Sequence, residues 1–307
     1  MKSATCEAGA VMDDQPGTPT ETLPLSNTEQ TRSRAYSLAA LDQDFLLGDS
    51  MRGVRFMLEY EKAEEFLRSW GVRSTIVVFG SARVRENGPS RHARWYREAR
   101  SFARLASERG GALTSNDGVR DNVIATGGGP GIMEAANRGA TEAGAPSIGF
   151  NITLPQEQQP NPYSTPELTF QFHYFAMRKM HLAMRANALV AFPGGFGTFD
   201  ELFEILTLRQ TKKSPAIPIV LFDEQYWRSA VNFEALIESG TIDRSECDLF
   251  RFAETAEDIW SKLLSCGLGV PGLSCKASHF SHVKASDSAL RQTLGGSSVA
   301  SSRGPSS

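Results

Sequence analysis

Two short apolar runs, Val123 to Ala125 and Ala188 to Phe192, each pass directly into a glycine-rich turn and then into a helical pattern. Continuous apolar runs of this length fit strands buried on both faces, which is the situation of a parallel sheet covered by helices. The helical stripes that follow are Ala135, Ala136 and Ala140 after the first turn, and Leu202, Ile205 and Leu206 after the second. Thr75 to Phe79 is a further strand of the same kind, ending in Gly80-Ser81-Ala82-Arg83 and followed by a helical face through Tyr96, Ala99, Phe102, Ala103 and Ala106. The alternation continues with strands near Ser147 to Phe150 and Leu168 to Phe172, a helix over Ala176 to Ala186, and a strand from Ile217 to Leu221. A helix around Tyr226 to Leu236 and a last strand-helix pair through Ile259 to Leu264 complete it. Repeated strand and helix segments predict an α/β fold with a doubly wound parallel sheet, Rossmann-like in its layers.

Composition sets the limits of the core. Residues 1–33 are poor in large apolar side chains, and residues 271–307 are rich in Ser and Gly. Neither segment buries enough apolar surface to offset its ordering entropy, so both are expected to be disordered tails. A helical extension is expected over residues 34–72, packed on the core, with Leu38, Leu41 and Phe45, then Val54, Met57, Phe66 and Trp70, marking two amphipathic helices. A Rossmann-like α/β domain is expected over residues 73–270. Net charge is only −3, which supplies no general field for nucleic acid. No apolar run is long enough to span a membrane, and the amino terminus has no apolar secretory core, so a cytoplasmic protein is expected. The four cysteines, Cys6, Cys247, Cys266 and Cys275, have no C-x-x-C spacing, which favours reduced thiols over a disulfide framework or a zinc site.

The second glycine turn, Pro193-Gly194-Gly195-Phe196-Gly197-Thr198-Phe199-Asp200-Glu201, joins a phosphate cradle to a carboxylate within one helical turn. Backbone N–H groups and the positive end of a helix dipole face the same space at such a turn, and glycine admits an anion without a Cβ in the way. Thr198 adds a hydroxyl, and Glu201 lies three residues on, nearly on the same face. Thr-x-x-Glu is equally the pattern of a capping box. If the turn is functional, a phosphate and a carboxylate need something between them, and a phosphorylated sugar is the simplest candidate. Gly127-Gly128-Gly129-Pro130-Gly131-Ile132-Met133 supplies a second glycine turn, and paired turns at strand ends are what a ligand crevice in such a sheet requires. Arg178, in Met177-Arg178-Lys179, is either part of a solvated helix face with His181 and Arg185 or a cation brought to the strand ends, holding a phosphate or opposing Glu201.

The combination of Met177-Arg178-Lys179 ahead of a strand, the P-G-G-x-G-T-x-x-E run from Pro193 to Glu201, and the earlier G-G-G-P-G-I-M from Gly127 resembles the LONELY GUY (LOG) family. That family of Rossmann-like proteins is often labelled "possible lysine decarboxylase", and its members are cytokinin riboside 5′-monophosphate phosphoribohydrolases or broader nucleotide nucleosidases. The similarity runs from about Ile76 to Leu264. It implies that Arg178 and Glu201 are the catalytic pair and that Gly194, Gly195, Gly197 and Thr198 bind the 5′-phosphate. It further implies that Gly80, Ser81, Gly127, Gly128, Gly129, Gly131, Met133 and Lys179 line the nucleotide pocket. The longer segment before Ile76, the loop at 155–166 and Gly129-Pro130-Gly131-Ile132-Met133-Glu134 are closer to longer bacterial-type sequences than to the compact plant type.

The implied reaction is hydrolysis of the N-glycosidic bond of a nucleoside 5′-monophosphate, AMP or a cytokinin riboside monophosphate, to free base and ribose 5-phosphate. Glu201 would stabilise the oxocarbenium-like charge, orient the ribose hydroxyls or take a proton from water. Arg178 is expected to keep that carboxylate ionised by lowering its pKa. No metal and no cofactor are expected, and the partners expected are a small-molecule nucleotide and further copies of the chain, with no nucleic acid or membrane. Three other readings compete: a nucleotide or molybdenum-cofactor carrier on the same fold, a pyridoxal-phosphate decarboxylase, and a dinucleotide dehydrogenase. Retention of both Arg178 and Glu201 favours the hydrolase over the carrier. The decarboxylase has no lysine in a convincing pyridoxal context, and the dehydrogenase lacks G-x-G-x-x-G.

Overall fold

The structure, a computed structural model, describes residues 26–113, 117–154 and 159–272. Those parts of the expected tails at 1–25 and 273–307, with Cys6 and Cys275, lie outside the described residues, as do 155–158 of the Pro/Gln loop. The described chain divides into two compact units between Arg52 and Gly53.

Among the described residues of the first unit the backbone makes only short helices and turns: α1 (Thr28–Arg32), 3-10 turns at Arg34–Tyr36 and Ala39–Leu41, α2 (Gln43–Leu47) and a 3-10 turn at Asp49–Met51. The amphipathic helix expected through Leu38, Leu41 and Phe45 is interrupted because Ser33 and Asp42 turn their side chains onto nearby N–H groups and start new turns.

The second unit holds the sheet. Along the chain come α3 (Arg52–Ser69, its first residue in the first unit), β1 (Thr75–Phe79), α4 (Ser90–Arg109), β2 (Val123–Thr126), α5 (Ile132–Glu142), β3 (Ser147–Ile152) and β4 (Thr169–Phe172). Then follow α6 (Phe175–Met184), β5 (Ala186–Ala191), α7 (Phe196–Gln210), β6 (Ile219–Phe222), α8 (Glu224–Ala230), α9 (Phe233–Glu238), β7 (Arg251–Ala253) and α10 (Ala256–Ser265). The seven strands form one sheet in the order β4-β3-β2-β1-β5-β6-β7, and every neighbouring pair is parallel. This is the expected doubly wound α/β, Rossmann-like fold. The helix expected over Tyr226 to Leu236 is two helices, because Asn232 accepts from the Ala235 N–H and begins α9 afresh.

Alternation along each strand divides the interior into two cores. Ile76, Val78, Val190 and Phe222 face α4, α5 and α10, whereas Val77, Phe79, Leu189 and Leu221 face the side of α3, α6 and α7. Chain direction reverses its march across the sheet between β1 and β5, which are adjacent in register from Ile76↔Ala188 to Phe79↔Ala191. Beyond their first residues the loops leaving β1 and β5 run to opposite faces, one toward α4 and one toward α7, which places a crevice at the carboxyl ends of these strands.

Candidate active site

The loop after β1 carries Gly80 and Ser81, and the loop after β5 carries Pro193 to Gly195. The Ser81 N–H donates to the Pro193 carbonyl at 3.0 Å, so the two loops are clamped side by side at the switch point. A cavity of about 1030 Å³ opens here, lined by Gly80, Ser81, Met133, Arg178, Gly194, Gly195, Gly197, Thr198 and Glu201 among others. Nine of the residues named from sequence thus meet in one space. Its volume suits a nucleotide-sized ligand.

Its floor is the start of α7. Thr198 and Phe199 donate their N–H groups to the Gly195 carbonyl, at 2.9 and 3.1 Å, and the cap residue Gly195 offers no side chain. The four N–H groups from Gly194 to Gly197 have no hydrogen-bond partner among the described residues. Four successive free donors at a helix start are available to an anion. Gly195 and Gly197 have open space where a Cβ would stand, while a Cβ on Gly194 would lie 2.0 Å from Thr198 Oγ1. The first two leave room for ligand; the third lets the loop close on Thr198.

Arg178 comes from the first turn of α6, and α3 fixes that helix at both ends. Glu59 accepts from the His173 and Tyr174 N–H groups at 2.8 and 3.3 Å, just before α6. Beyond it, the buried Glu64 pairs with both terminal guanidinium nitrogens of Arg185, one of them at 2.9 Å. Arg178 then uses its fork on two partners: Nε donates to the Phe150 carbonyl at 2.8 Å, and one terminal nitrogen donates to Glu201 Oε1 at 3.1 Å. Glu201 is only 6% exposed, and its second oxygen has no partner among the described residues. One oxygen is held and the other is left to the cavity.

Burial pushes the Glu201 carboxyl above its ordinary value, with Arg178 and Lys179 opposing the shift without cancelling it. Burial likewise pulls the Arg178 guanidinium below its usual range. Arg178 does lower the Glu201 pKa as expected, but the net shift is upward: both groups have left water, and desolvation outweighs their mutual attraction.

The other residues named from sequence lie elsewhere. Gly127, Gly128, Gly129 and Gly131 form a buried turn behind Arg178 and do not line the cavity. Gly131 takes φ of +75°, and a Cβ there would meet the Ser81 carbonyl at 2.3 Å; the turn shapes the wall from behind. Asn161 holds it, donating from Nδ2 to the carbonyls of Gly128 and Gly129 at 3.1 and 3.0 Å. Lys179 lines an adjoining groove of about 650 Å³ with Phe203 and Glu204. It pairs with Asp200 at 2.7 Å and Glu204 at 3.0 Å.

The cavity also contains residues that sequence reasoning missed: Arg83, His92, Trp95, Phe175, Phe196 and Tyr226 among them. The signal available for Tyr226 was Asp223, a carboxylate directly after an apolar strand, which marks a helix start. No sequence signal placed Trp95 there, since it reads as one more apolar residue of α4.

The profile of the family described as "possible lysine decarboxylase" matches residues 133–263, which include both Arg178 and the whole turn to Glu201. Over those residues the chain is similar to that family. Its LOG-type relatives include the probable cytokinin riboside 5′-monophosphate phosphoribohydrolase LOG4 of Oryza sativa subsp. japonica, 27% identical over 192 residues, 62% of this chain and 76% of the relative. The cytokinin riboside 5′-monophosphate phosphoribohydrolase LOG3 of Arabidopsis thaliana is 25% identical over 166 residues, 53% of this chain and 74% of the relative. Among solved structures, the molybdenum cofactor binding protein of Rippkaea orientalis is similar at 17% identity, with 63% of this chain and 97% of that one covered and a TM-score of 0.41.

Proposed function

We propose that this chain hydrolyses the N-glycosidic bond of a nucleoside 5′-monophosphate, with AMP or a cytokinin riboside monophosphate as substrate, releasing the base and ribose 5-phosphate. The observation that carries the reading is the pairing, in one cavity, of four free N–H donors with a carboxylate whose second oxygen is free. A phosphomonoester fits the donors, and a sugar between them and Glu201 separates the two negative groups. The relatives named as phosphoribohydrolases support the same chemistry.

In the proposed reaction water adds to the anomeric carbon as the bond to the base nitrogen breaks, and the base leaves with the bonding electron pair and takes up a proton. Positive charge accumulates on the ring oxygen and anomeric carbon during departure. An ionised Glu201 oxygen stabilises that charge or accepts the proton of the attacking water. Arg178 fixes the other oxygen, so the carboxylate does not rotate between these tasks and the ion pair. The phosphate, bound away from the broken bond, supplies binding energy that orients the sugar.

The test is chromatographic: purified protein is incubated with AMP and, separately, with adenosine. Adenine and ribose 5-phosphate from AMP, with adenosine cleaved far more slowly, are the expected result. Tight AMP binding without any adenine would replace the hydrolase by a nucleotide carrier.

A further inference from the structure

The three carbonyls of the loop that approaches the proposed phosphate are all occupied from inside the protein. Pro193 accepts from the Ser81 N–H, and Gly195 accepts from Thr198 and Phe199. The Gly194 carbonyl accepts from the hydroxyl of Tyr226. The three donors to Pro193 and Gly195 are backbone groups and come with the fold. The donor to Gly194 is a side chain from α8, thirty-two residues away in sequence.

Tyr226 is itself held in place. Its N–H donates to Asp223 Oδ1 at 3.0 Å, and its ring packs edge-on against Trp95 and Trp227, with centroids 5.7 and 5.4 Å away. Asp223 is 2% exposed and also accepts from Trp95 Nε1 at 2.7 Å and from Arg91 at 3.2 Å. A buried carboxylate at the end of β6 thus fixes two aromatic walls of the cavity, and one of them reaches the glycine loop.

Because a peptide unit is planar and trans, the direction of the Gly194 carbonyl sets that of the Gly195 N–H. Two successive glycines have no side chains to resist rotation of this unit, and glycine's wide φ/ψ range makes rotation cheap. A rotated unit would present a carbonyl oxygen to an anion in place of a donor. We propose that Tyr226 is the positioning residue for the anion site, holding the Gly194–Gly195 peptide so that its N–H serves a phosphomonoester.

This inference rests on the reading of the site as one for a nucleoside 5′-monophosphate, and calorimetry separates the two. AMP, ribose 5-phosphate and adenosine are titrated into the wild type and Tyr226→Phe, with turnover of AMP measured in parallel. Losing one hydrogen bond that orients a charge-binding donor is expected to weaken AMP and ribose 5-phosphate about tenfold. The KM for AMP should rise by the same factor with kcat little changed, and the melting temperature and the affinity for adenosine should hold. Equal affinities for ribose 5-phosphate in the two proteins would overturn the role of Tyr226, as would a parallel loss of adenosine binding, which would mark general damage to the cavity. A wild type that binds ribose 5-phosphate yet cleaves no AMP would overturn the hydrolase while leaving the Tyr226 comparison decisive; one that binds neither phosphate ligand overturns both.

Discussion

Adjacent glycines of the β5–α7 loop should respond to the same substitution in opposite ways. In Gly194→Ala the new methyl would lie 2.0 Å from Thr198 Oγ1 and 2.6 Å from Thr198 Cβ, whereas in Gly195→Ala nothing lies within 4 Å. Comfortable contact needs roughly 3.5 Å, so the first variant must displace Thr198 by more than about 1 Å. Overpacking of this kind costs about 1–3 kcal/mol. In a domain of this size that lowers the melting temperature by about 2–4 °C per kcal/mol. Gly195→Ala should leave stability within about 0.5 kcal/mol, as substitutions without a steric consequence do. Its methyl instead occupies cavity space beside the free N–H groups. Displacing the phosphate from a single charge-assisted hydrogen bond, worth about 1.5–3 kcal/mol, weakens AMP by one to two orders of magnitude. Thermal melting and calorimetric titration of AMP, run on both variants, read the two effects separately. Gly195→Ala with wild-type affinity, or Gly194→Ala with a wild-type melting temperature, would refute the assignment of these glycines.

Three further outcomes are expected. Asn161→Ala removes the bonds from Nδ2 to Gly128, Gly129 and Asn137 and the acceptor for the Tyr163 and Ser164 N–H groups, so it should lower urea stability by about 2–4 kcal/mol. His181 is 1% exposed, its Nδ1 lies 3.7 Å from Glu64 Oε1 without a hydrogen bond, and burial holds its pKa down at about 4. The unfolded chain then binds the extra proton between about pH 6.5 and 4, so stability falls as pH drops through that window, by up to about 3 kcal/mol. Glu64, whose carboxyl is held low because Arg185, His181 and Arg68 outweigh its burial, also loses stability in acid, but below its ordinary value of 4.5. His181→Phe should abolish the part of the slope above that value in denaturant titrations at pH 7 and 5. For activity, the raised Glu201 pKa places the acid limb of the pH–rate profile above 4.5. Arg178→Gln, by removing the nearest cation, should move that limb to still higher pH, and a limb that stays fixed or falls would separate Glu201 from the titrating group.

The sheet was legible because its strands are buried on both faces. Thr75 to Phe79 and Ala188 to Ala191 are continuous apolar runs, and glycine punctuates the turns that follow two of the crossings. The break between α8 and α9 was not legible, since apolar spacing continues from Trp227 to Leu236 across the cap at Asn232. At the site, the glycine loop and Glu201 were readable from one contiguous stretch. Arg178 was ambiguous between a solvated face and the site, and what resolves it is the carbonyl of Phe150, a partner from another strand. Lys179 carried the same ambiguity and faces the neighbouring carboxylates Asp200 and Glu204 instead. Trp95 and Tyr226 reach the cavity through Asp223, and contacts that span more than a hundred residues, like that of Trp95 with Asp223, leave no local trace in spacing or composition.

The role of Glu201 as the group that acts on the glycosidic bond, with the phosphate held separately, is tested most directly by Glu201→Gln. AMP is titrated calorimetrically into the variant, and adenine release is followed in the same preparation. The account predicts binding as tight as in the wild type, or tighter because a negative charge has left the cavity, together with loss of adenine release. Retained turnover with weakened binding would contradict it, and would make Glu201 a structural partner of Arg178.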